Sequence, residues 1–417
     1  MDLSRAAAAA LDTADPLAGF RARFAGVEDD LLYLDGNSLG RLPVETPAAV
    51  ARVVEQEWGR GLVGSWSSWV EQSRRIGDVL AEGVLGARPG EVLVADTTSV
   101  DLYKLLVAGA DARPGRDVLV CCADDFPTDR YIVAGVARAR GMTVREVDAH
   151  IDTGLDLDVL AAALDERVAA VVLSQVAYRS GALVDIAEVT RLARDAGALV
   201  VWDLSHAAGA VPADLTAAGA DLAVGCTYKY LNGGPGAPAF LYVRRELQEQ
   251  LRQPIWGWFG ARDQFAMGTA YDPADGVDRF AVGTPPVLAM AAVEVGARLT
   301  AEAGIPRLAA KGQALTDLVV ALADEWLAGH GVTVASPREA ARRGSHVSLA
   351  HPQAWQLTQA LVDRGVVPDF RTPDRLRLGP APLYTRFVDV WDAMDRLRSV
   401  LAEGAHAGYP TERSRVT

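Results

Sequence analysis

Short runs of Val, Leu and Ala recur through the middle of the chain, at 92–95 (VLVA), 117–121 (DVLVC), 168–173 (VAAVVL), 198–203 (ALVVWD), 221–226 (DLAVGC) and 239–243 (AFLYV). They scarcely alternate between polar and apolar residues, which is the pattern of strands buried on both faces. Amphipathic stretches such as 129–140 and 187–196 lie between them, and Gly197 follows the second in the place of a helix C-cap. Strand–helix–strand repetition of this kind predicts an α/β fold, a mainly parallel sheet with helices on both faces. Beyond about residue 285 the pattern changes. Helical periodicity covers 287–302 and resumes from Pro306 to about 328. Short strand candidates at 332–335, 345–349 and 375–378 then alternate with helices at 353–364 and 387–402, the pattern of a small α+β domain. The expected organisation is an N-terminal segment, 1–65, packing on the small domain; a large domain, 66–285; the small domain, 286–403; and a loose tail, 404–417.

Composition narrows the functional classes. The net charge is −13, and an acidic surface repels phosphate backbones, so nucleic acid is not an expected partner. Three cysteines, two of them adjacent (Cys121, Cys122 and Cys226), do not make an oxidised extracellular framework. The six histidines are scattered without a zinc-binding spacing, so no metal is expected. The N-terminal alanine run is interrupted by charges and reads as a helix instead of a signal peptide. No uncharged apolar run has the length of a membrane span, and the expected location is the cytoplasm.

Among 41 basic residues only Lys104, Lys229 and Lys311 are lysine. Arginine cannot replace a lysine that must lose its proton and attack a carbonyl, so each lysine left in such a chain is a candidate for chemistry. Asp203 falls at the C-terminal end of a buried strand, where open α/β sheets bind ligands. Lys229 follows 26 positions later, flanked by Tyr228 and Tyr230 and then by the turn LNGGPGAP. Pyridoxal 5'-phosphate needs both residue types: a lysine for a Schiff base, and an acid to keep its pyridine nitrogen protonated. The Gly-rich turn leads into a strand, not a helix, so it is not a dinucleotide fingerprint. A phosphate also needs a cradle. Asp96-Thr97-Thr98-Ser99 stands between a strand and a helical pattern, where hydroxyls and free N–H groups either cap the helix or bind an anion. Asp129 is a candidate second acid for the ring nitrogen, and Phe126 a candidate for stacking on the ring.

On these residues the chain resembles the kynureninase family, fold-type-I pyridoxal phosphate enzymes of the class-V aminotransferase group. The segments that carry the likeness are YLDGNSLGRLP (33–43), FPTDRY (126–131), DLSHAAG (203–209), YKYLNGGPGA (228–237), GWFG (257–260), GTPP (283–286) and RLGPAPLY (377–384). The resemblance implies a mainly parallel seven-stranded sheet and the following roles. Lys229 carries the cofactor. Asp203, assisted by Asp129, pairs with the ring nitrogen, and His206 and Ser174 lie beside the ring. Thr97, Thr98 and Tyr228 hold the phosphate, with Tyr228 also placed to stabilise an oxyanion. Trp258 and Thr284 reach the phosphate of a neighbouring subunit, which implies a homodimer with shared sites. Arg377 clamps the α-carboxylate of a small amino-acid substrate bidentately, and Asn37, Ser38 and Trp66 line the aromatic end of the pocket. An aromatic residue at position 66 resembles the bacterial type, which prefers kynurenine to its 3-hydroxy form.

The reaction so implied is hydrolytic Cβ–Cγ cleavage of L-kynurenine to anthranilate and L-alanine. Two alternatives have the same fold. A cysteine desulfurase or selenocysteine lyase relies on a mobile cysteine in its second domain, whereas no cysteine lies beyond Cys226. An aminotransferase is separated only by a test for amino transfer. A non-catalytic cofactor-binding scaffold is disfavoured because the lysine and its acid partner are both present.

Overall fold

A computed structural model describes residues 2–28 and 30–413 of the chain. Its main sheet has seven strands: β1 (Val92–Ala95), β2 (Val118–Cys122), β3 (Thr143–Val147), β4 (Val168–Ser174), β5 (Leu199–Asp203), β6 (Leu222–Gly225) and β7 (Ala239–Val243). They lie in the order β1-β7-β6-β5-β4-β2-β3. All neighbours are parallel except β7, which runs antiparallel to both β1 and β6. The lack of polar alternation in the sequence has a direct cause. Along β5, Val200 and Trp202 enter the core on one face of the sheet, while Leu199 and Val201 enter the core on the other. One face is covered by α2 (Thr98–Asp111) and α3 (Pro127–Arg140), through Leu102, Leu105, Val133 and Val136. The other is covered by α4 (Ile186–Asp195), the helix Gln72–Leu80 and α5 (Val287–Ala303), through Val189, Ile76 and Met290. The C-terminal ends of β1, β2, β4, β5 and β6 therefore share one edge of the sheet, and the connections after them form the ligand-binding side of such a fold.

A four-stranded antiparallel sheet follows, with β8 (Thr333–Val334), β9 (Val347–Ala350), β10 (Asp369–Arg371) and β11 (Arg375–Leu378) in the order β8-β9-β11-β10. It packs with α6 (Ile305–Trp326), α7 (Ala354–Asp363) and α8 (Phe387–Glu403) around a core of their own. The N-terminal segment joins this body. The helix α1 (Arg5–Ala14) buries Ala8 in that core, and Asp12 accepts the N-terminal N–H groups of α8 from Phe387 and Val388 at 2.6 and 3.1 Å. An acidic side chain there also complements the helix dipole. Leu32–Tyr33 pairs in parallel with Val366–Val367.

The loose tail expected at 404–417 is not found over its described part, 404–413. Trp355 donates from Nε1 to Glu412 O at 2.9 Å, the Tyr409 hydroxyl donates to Asp363 at 2.6 Å, and His406 is buried. Trp355 and Asp363, near the two ends of α7, provide these anchors. The last four residues of that expectation, 414–417, lie outside the described residues. No described helix is long and apolar enough to cross a membrane, and the described residues contain no group of three or more His, Cys, Asp or Glu able to hold a metal ion.

Candidate active site

A cavity of about 340 Å³ opens at the C-terminal edge of the main sheet, against the small sheet. The connections after β1, β2, β4, β5 and β6 deliver polar groups to it. After β1 the chain turns at Asp96, with φ +43°, and Thr97 caps α2 by accepting from Val100 N at 3.4 Å. Thr97, Thr98 and Ser99 line the cavity at this helix N-terminus. The first N–H groups of a helix have no intrahelical partner, so the cap leaves donors for an anion.

After β2, Pro127 opens α3 and places Asp129 in its first turn. Asp203 ends β5, with Oδ1 accepting from the N–H and the hydroxyl of Ser205 at 2.8 and 2.6 Å. Burial and the neighbouring Asp203 carboxylate push the carboxyl of Asp129 well above the usual range, and no donor reaches its buried Oδ2. The Asp203 charge beside it thus favours the protonated form of Asp129. A third acid, Asp125, is pushed by burial up to about 7 and accepts from Ser174 N at 3.3 Å. His206 is held neutral, first by burial and then by the Lys229 and Arg377 charges, and its Nδ1 has no partner. Lys229 is half-buried in the cavity wall, with Nζ 6.0 Å from the centre of the Tyr228 ring. The Cys226 thiol and burial hold the Tyr228 phenol above its ordinary range, so it keeps its proton at neutral pH.

The far wall comes from the small sheet and the N-terminal segment. Arg377 on β11 stands directly opposite Asp369 on β10 and pairs with it, both fully buried. It also donates to Tyr178 O at 2.5 Å and to the Ser38 hydroxyl at 3.0 Å. With the Asn37 amide turned so that its oxygen faces the guanidinium, Arg377 Nε donates to it at 2.7 Å. All three guanidinium nitrogens are thus engaged. A substrate carboxylate gripped by Arg377 would displace a neutral partner, the Ser38 hydroxyl or the Asn37 amide, more readily than the buried Asp369 carboxylate. Asn37 and Ser38 were expected at the aromatic end of the pocket. Both line the cavity and both contact the guanidinium.

The cavity lining includes Asn37, Ser38, Thr97, Thr98, Phe126, Asp129, Ser174, Asp203, His206, Tyr228, Lys229 and Arg377 from the sequence reading. Phe126 meets Tyr178 edge-on at 5.3 Å between ring centres. Trp66, Trp258 and Thr284 are not in this lining. Trp66 packs against Trp69 and Phe259, with ring centres 5.2 and 6.3 Å away, so within one chain it does not line the pocket as expected. Trp258 is 47% exposed beside Phe265. Thr284 borders a separate surface cavity of about 420 Å³. The sequence reading missed Tyr178, Ser205 and Arg371 in the lining. Ser205 lies inside the DLSHAAG segment and was readable there. Arg371, which donates to Asp369 at 2.6 Å, had no signal beyond its nearness to Arg377.

A family model for the kynureninase C-terminal domain matches residues 308–397. A kynureninase from Pseudomonas fluorescens is 46% identical over 400 residues, 94% of each chain, and one from Burkholderia pseudomallei (strain 1106a) is 45% identical over 406 residues, 95% of each. Among solved structures, an apo cysteine desulfurase from Thermococcus onnurineus NA1 superposes with a TM-score of 0.80 at 18% identity, covering 93% of this chain and 98% of that one. A mutant of C-DES with glycine covalently linked to the PLP cofactor gives 0.79 at 18%, covering 92% and 99%. At that identity the structures carry the fold alone. Identity near one half across almost the full length of the curated relatives carries more, and the chain belongs to the kynureninase family.

Proposed function

We propose that the protein cleaves L-kynurenine between Cβ and Cγ, taking up one water and releasing anthranilate and L-alanine, with pyridoxal 5'-phosphate held at Lys229. The observation that carries this reading is one cavity, in a chain of this family, where a half-buried lysine, a carboxyl pair, a hydroxyl-rich helix N-terminus and a buried guanidinium converge. The donor set fits the cofactor. Asp129 Oδ2 and His206 Nδ1 are buried polar atoms lacking a partner, as expected of groups that wait for a polar ring.

Thr97, Thr98 and the free N–H groups of α2 would hold the phosphate, with Tyr228 near it. Asp203, with Asp129 beside it, would keep the ring nitrogen protonated. Phe126, Ser174 and His206 would bound the ring. When bound, the cofactor supplies an electron sink for the charge left at the substrate α-carbon. Arg377 orients the α-carboxylate, with Ser38 and Asn37 yielding to it. The Lys229 amine takes the α-proton and later returns a proton to the alanine fragment. The Tyr228 hydroxyl donates to the oxygen that gains charge as water adds at Cγ.

The reading includes a homodimer in the cytoplasm, in which Trp258 and Thr284 serve the phosphate site of the other subunit. Trp256, Trp258, Phe265 and Met267 are 47–75% exposed in a single chain, an apolar surface that a second copy would cover. A preference for kynurenine over its 3-hydroxy form set by Trp66 would then act across that interface, since Trp66 is outside the pocket lining of its own chain. A cysteine-based lyase is not favoured, because Cys121, Cys122 and Cys226 are all buried and burial raises each thiol.

The test is steady-state turnover of L-kynurenine and 3-hydroxy-L-kynurenine by cofactor-loaded protein, with alanine and the aromatic acid both quantified. Equal yields of alanine and anthranilate, abolished by Lys229→Ala, are expected, as is sedimentation at twice 44.2 kDa. Amino transfer to a 2-oxo acid without C–C cleavage would refute the reaction. Faster turnover of the hydroxylated substrate would refute the substrate preference alone.

A further inference from the structure

Lys104 is the first of the three lysines in the chain, and its side chain is fully buried on α2, six residues beyond Thr98 of the cradle. Its ammonium group has three neighbours. It donates to Asp96 Oδ2 at 2.7 Å and to Phe280 O at 2.9 Å, and it pairs with Asp101 Oδ1 at 2.8 Å. Its two hydrogen bonds go to Asp96 and Phe280, while the contact with Asp101 is an ion pair by distance alone, since neither Asp101 carboxylate oxygen has a hydrogen-bond partner. Asp101 is fully buried, and no other cation is paired with it among the described residues.

Asp96 is the residue at which the chain leaves β1 and turns into the cradle. Its φ of +43° is uncommon for a residue other than glycine, and such a conformation persists where the surroundings hold it. Lys104 supplies that hold. It ties the Asp96 side chain to the helix behind it and to Phe280, which lies in the core on that face of the sheet. It also offsets the charge of Asp96, which otherwise would stand uncompensated immediately before Thr97 and repel an arriving phosphate.

We propose that Lys104 is a positioning residue for the phosphate-binding turn: it holds Asp96-Thr97-Thr98 in the anion-binding conformation and neutralises Asp96, so that the site selects a phosphorylated cofactor over its dephosphorylated form. The proposal rests on the pyridoxal phosphate reading above. Lys104 touches neither the cavity nor the reacting atoms, and Lys229, which would form the bond to the cofactor aldehyde, is carried on a different loop. Losing Lys104 should therefore weaken the grip on the phosphate and leave the aldehyde chemistry intact.

The test compares binding of pyridoxal 5'-phosphate and of pyridoxal by the full-length protein, read from the absorbance of the lysine adduct. The variants are Lys104→Met and the double variant Lys104→Met with Asp101→Asn. The double variant removes the buried acid with its cation, so it does not leave Asp101 unpaired, and its thermal midpoint reports folding. The expected result is a dissociation constant for the phosphorylated form raised about tenfold or more, with that for pyridoxal changed by less than about twofold. A merely structural role would move both constants together. Equal loss of both ligands, or unchanged discrimination in the folded double variant, would overturn the proposal. Failure of the unaltered protein to take up pyridoxal 5'-phosphate would overturn the cofactor reading, and this inference with it.

Discussion

Adding one methyl group at Gly40 should displace the lysine loop while leaving every side chain of the site chemically unchanged. Gly40 donates its N–H to Tyr228 O at 2.8 Å, so the N-terminal segment lies directly on the loop carrying Lys229. A Cβ at Gly40 would stand 2.3 Å from Lys229 O and 2.4 Å from Asn232 Oδ1, where ordinary contact begins at 3.4 Å. One partner must retreat by about 1 Å. The loop has little room to yield. Asn232 N donates back to Lys229 O at 2.9 Å, and the Asn232 amide donates to Tyr230 O at 2.8 Å. The shift therefore reaches the Lys229 backbone. Displacement of a reacting group by about 1 Å costs on the order of 100-fold in kcat, and overpacking of this kind costs about 1–3 kcal/mol of stability. Gly40→Ala should thus lower kcat for kynurenine about 100-fold and lower the thermal midpoint by a few degrees, while KM changes little because Arg377 is untouched. Gly135→Ala is the control, since a Cβ there meets nothing within 4 Å. A Gly40→Ala protein with full cofactor occupancy and kcat within about twofold of the unaltered enzyme would refute the reasoning.

Two further outcomes follow from the charges around the cavity. Arg377→Ala should raise KM for kynurenine about 10- to 100-fold with a smaller effect on kcat, because a charge-assisted hydrogen bond is lost in binding. Asp369 keeps Arg371 as a partner in that variant, and a kcat loss as large as the KM change in steady-state assays would contradict the binding role. The second concerns Asp125, pushed from 3.8 up to about 7 by burial. Between those values the folded state holds a proton that the unfolded state has lost, so this group's contribution to stability is complete below about pH 4 and falls as pH rises through 7. Urea unfolding of cofactor-free protein from pH 4 to 7 should show a stability decline in the unaltered chain that is shallower in Asp125→Asn, by up to about 1.4 kcal/mol per pH unit. Parallel curves would show that Asp125 does not hold the proton.

The buried strands were legible because two-sided burial removes polar alternation, and the six apolar runs fall on observed strands to within a residue or two. Their directions were not legible. The run 239–243 is as apolar as its neighbours, yet it is antiparallel to both, because a fully buried strand bears no mark of its direction. The strand Thr143–Val147 escaped notice because it is the edge strand, with Arg145 and Glu146 reaching solvent and ion pairs instead of a core. The site divides in the same way. Asp203 and Lys229 were readable because a strand end and a scarce residue type mark them. Asp125 and Arg371 carry no such mark, and their place in the site comes only from what folds against them. The scarcity of lysine was a sound guide to burial, though not always to catalysis: Lys311 is buried in a pair with Asp15 at 2.6 Å, tying α6 to the segment after α1.

The segments YLDGNSLGRLP and RLGPAPLY stand more than three hundred residues apart in sequence, but in the folded chain they form one contact. Gly379 N donates to Leu34 O at 2.6 Å, and Gly36 N donates to Gly379 O at 3.1 Å. A Cβ on Gly379 would fall 1.7 Å from Asn37 Oδ1, and one on Gly36 would fall 2.8 Å from both Ala381 Cβ and the Tyr384 hydroxyl. The glycines are there for close approach, not for a special backbone conformation, since neither is among the residues of positive φ. Asn37 and Ser38 then meet Arg377, and Gly40, two residues further on, meets the loop of Lys229. Five consecutive residues, 36–40, therefore span from the guanidinium proposed to grip the substrate carboxylate to the amine proposed to take its α-proton. In a bound amino acid those two points, the carboxylate and the α-proton, are attached to the same carbon. Any substitution that lets this strap slide changes the spacing between the two groups while leaving both of them chemically intact.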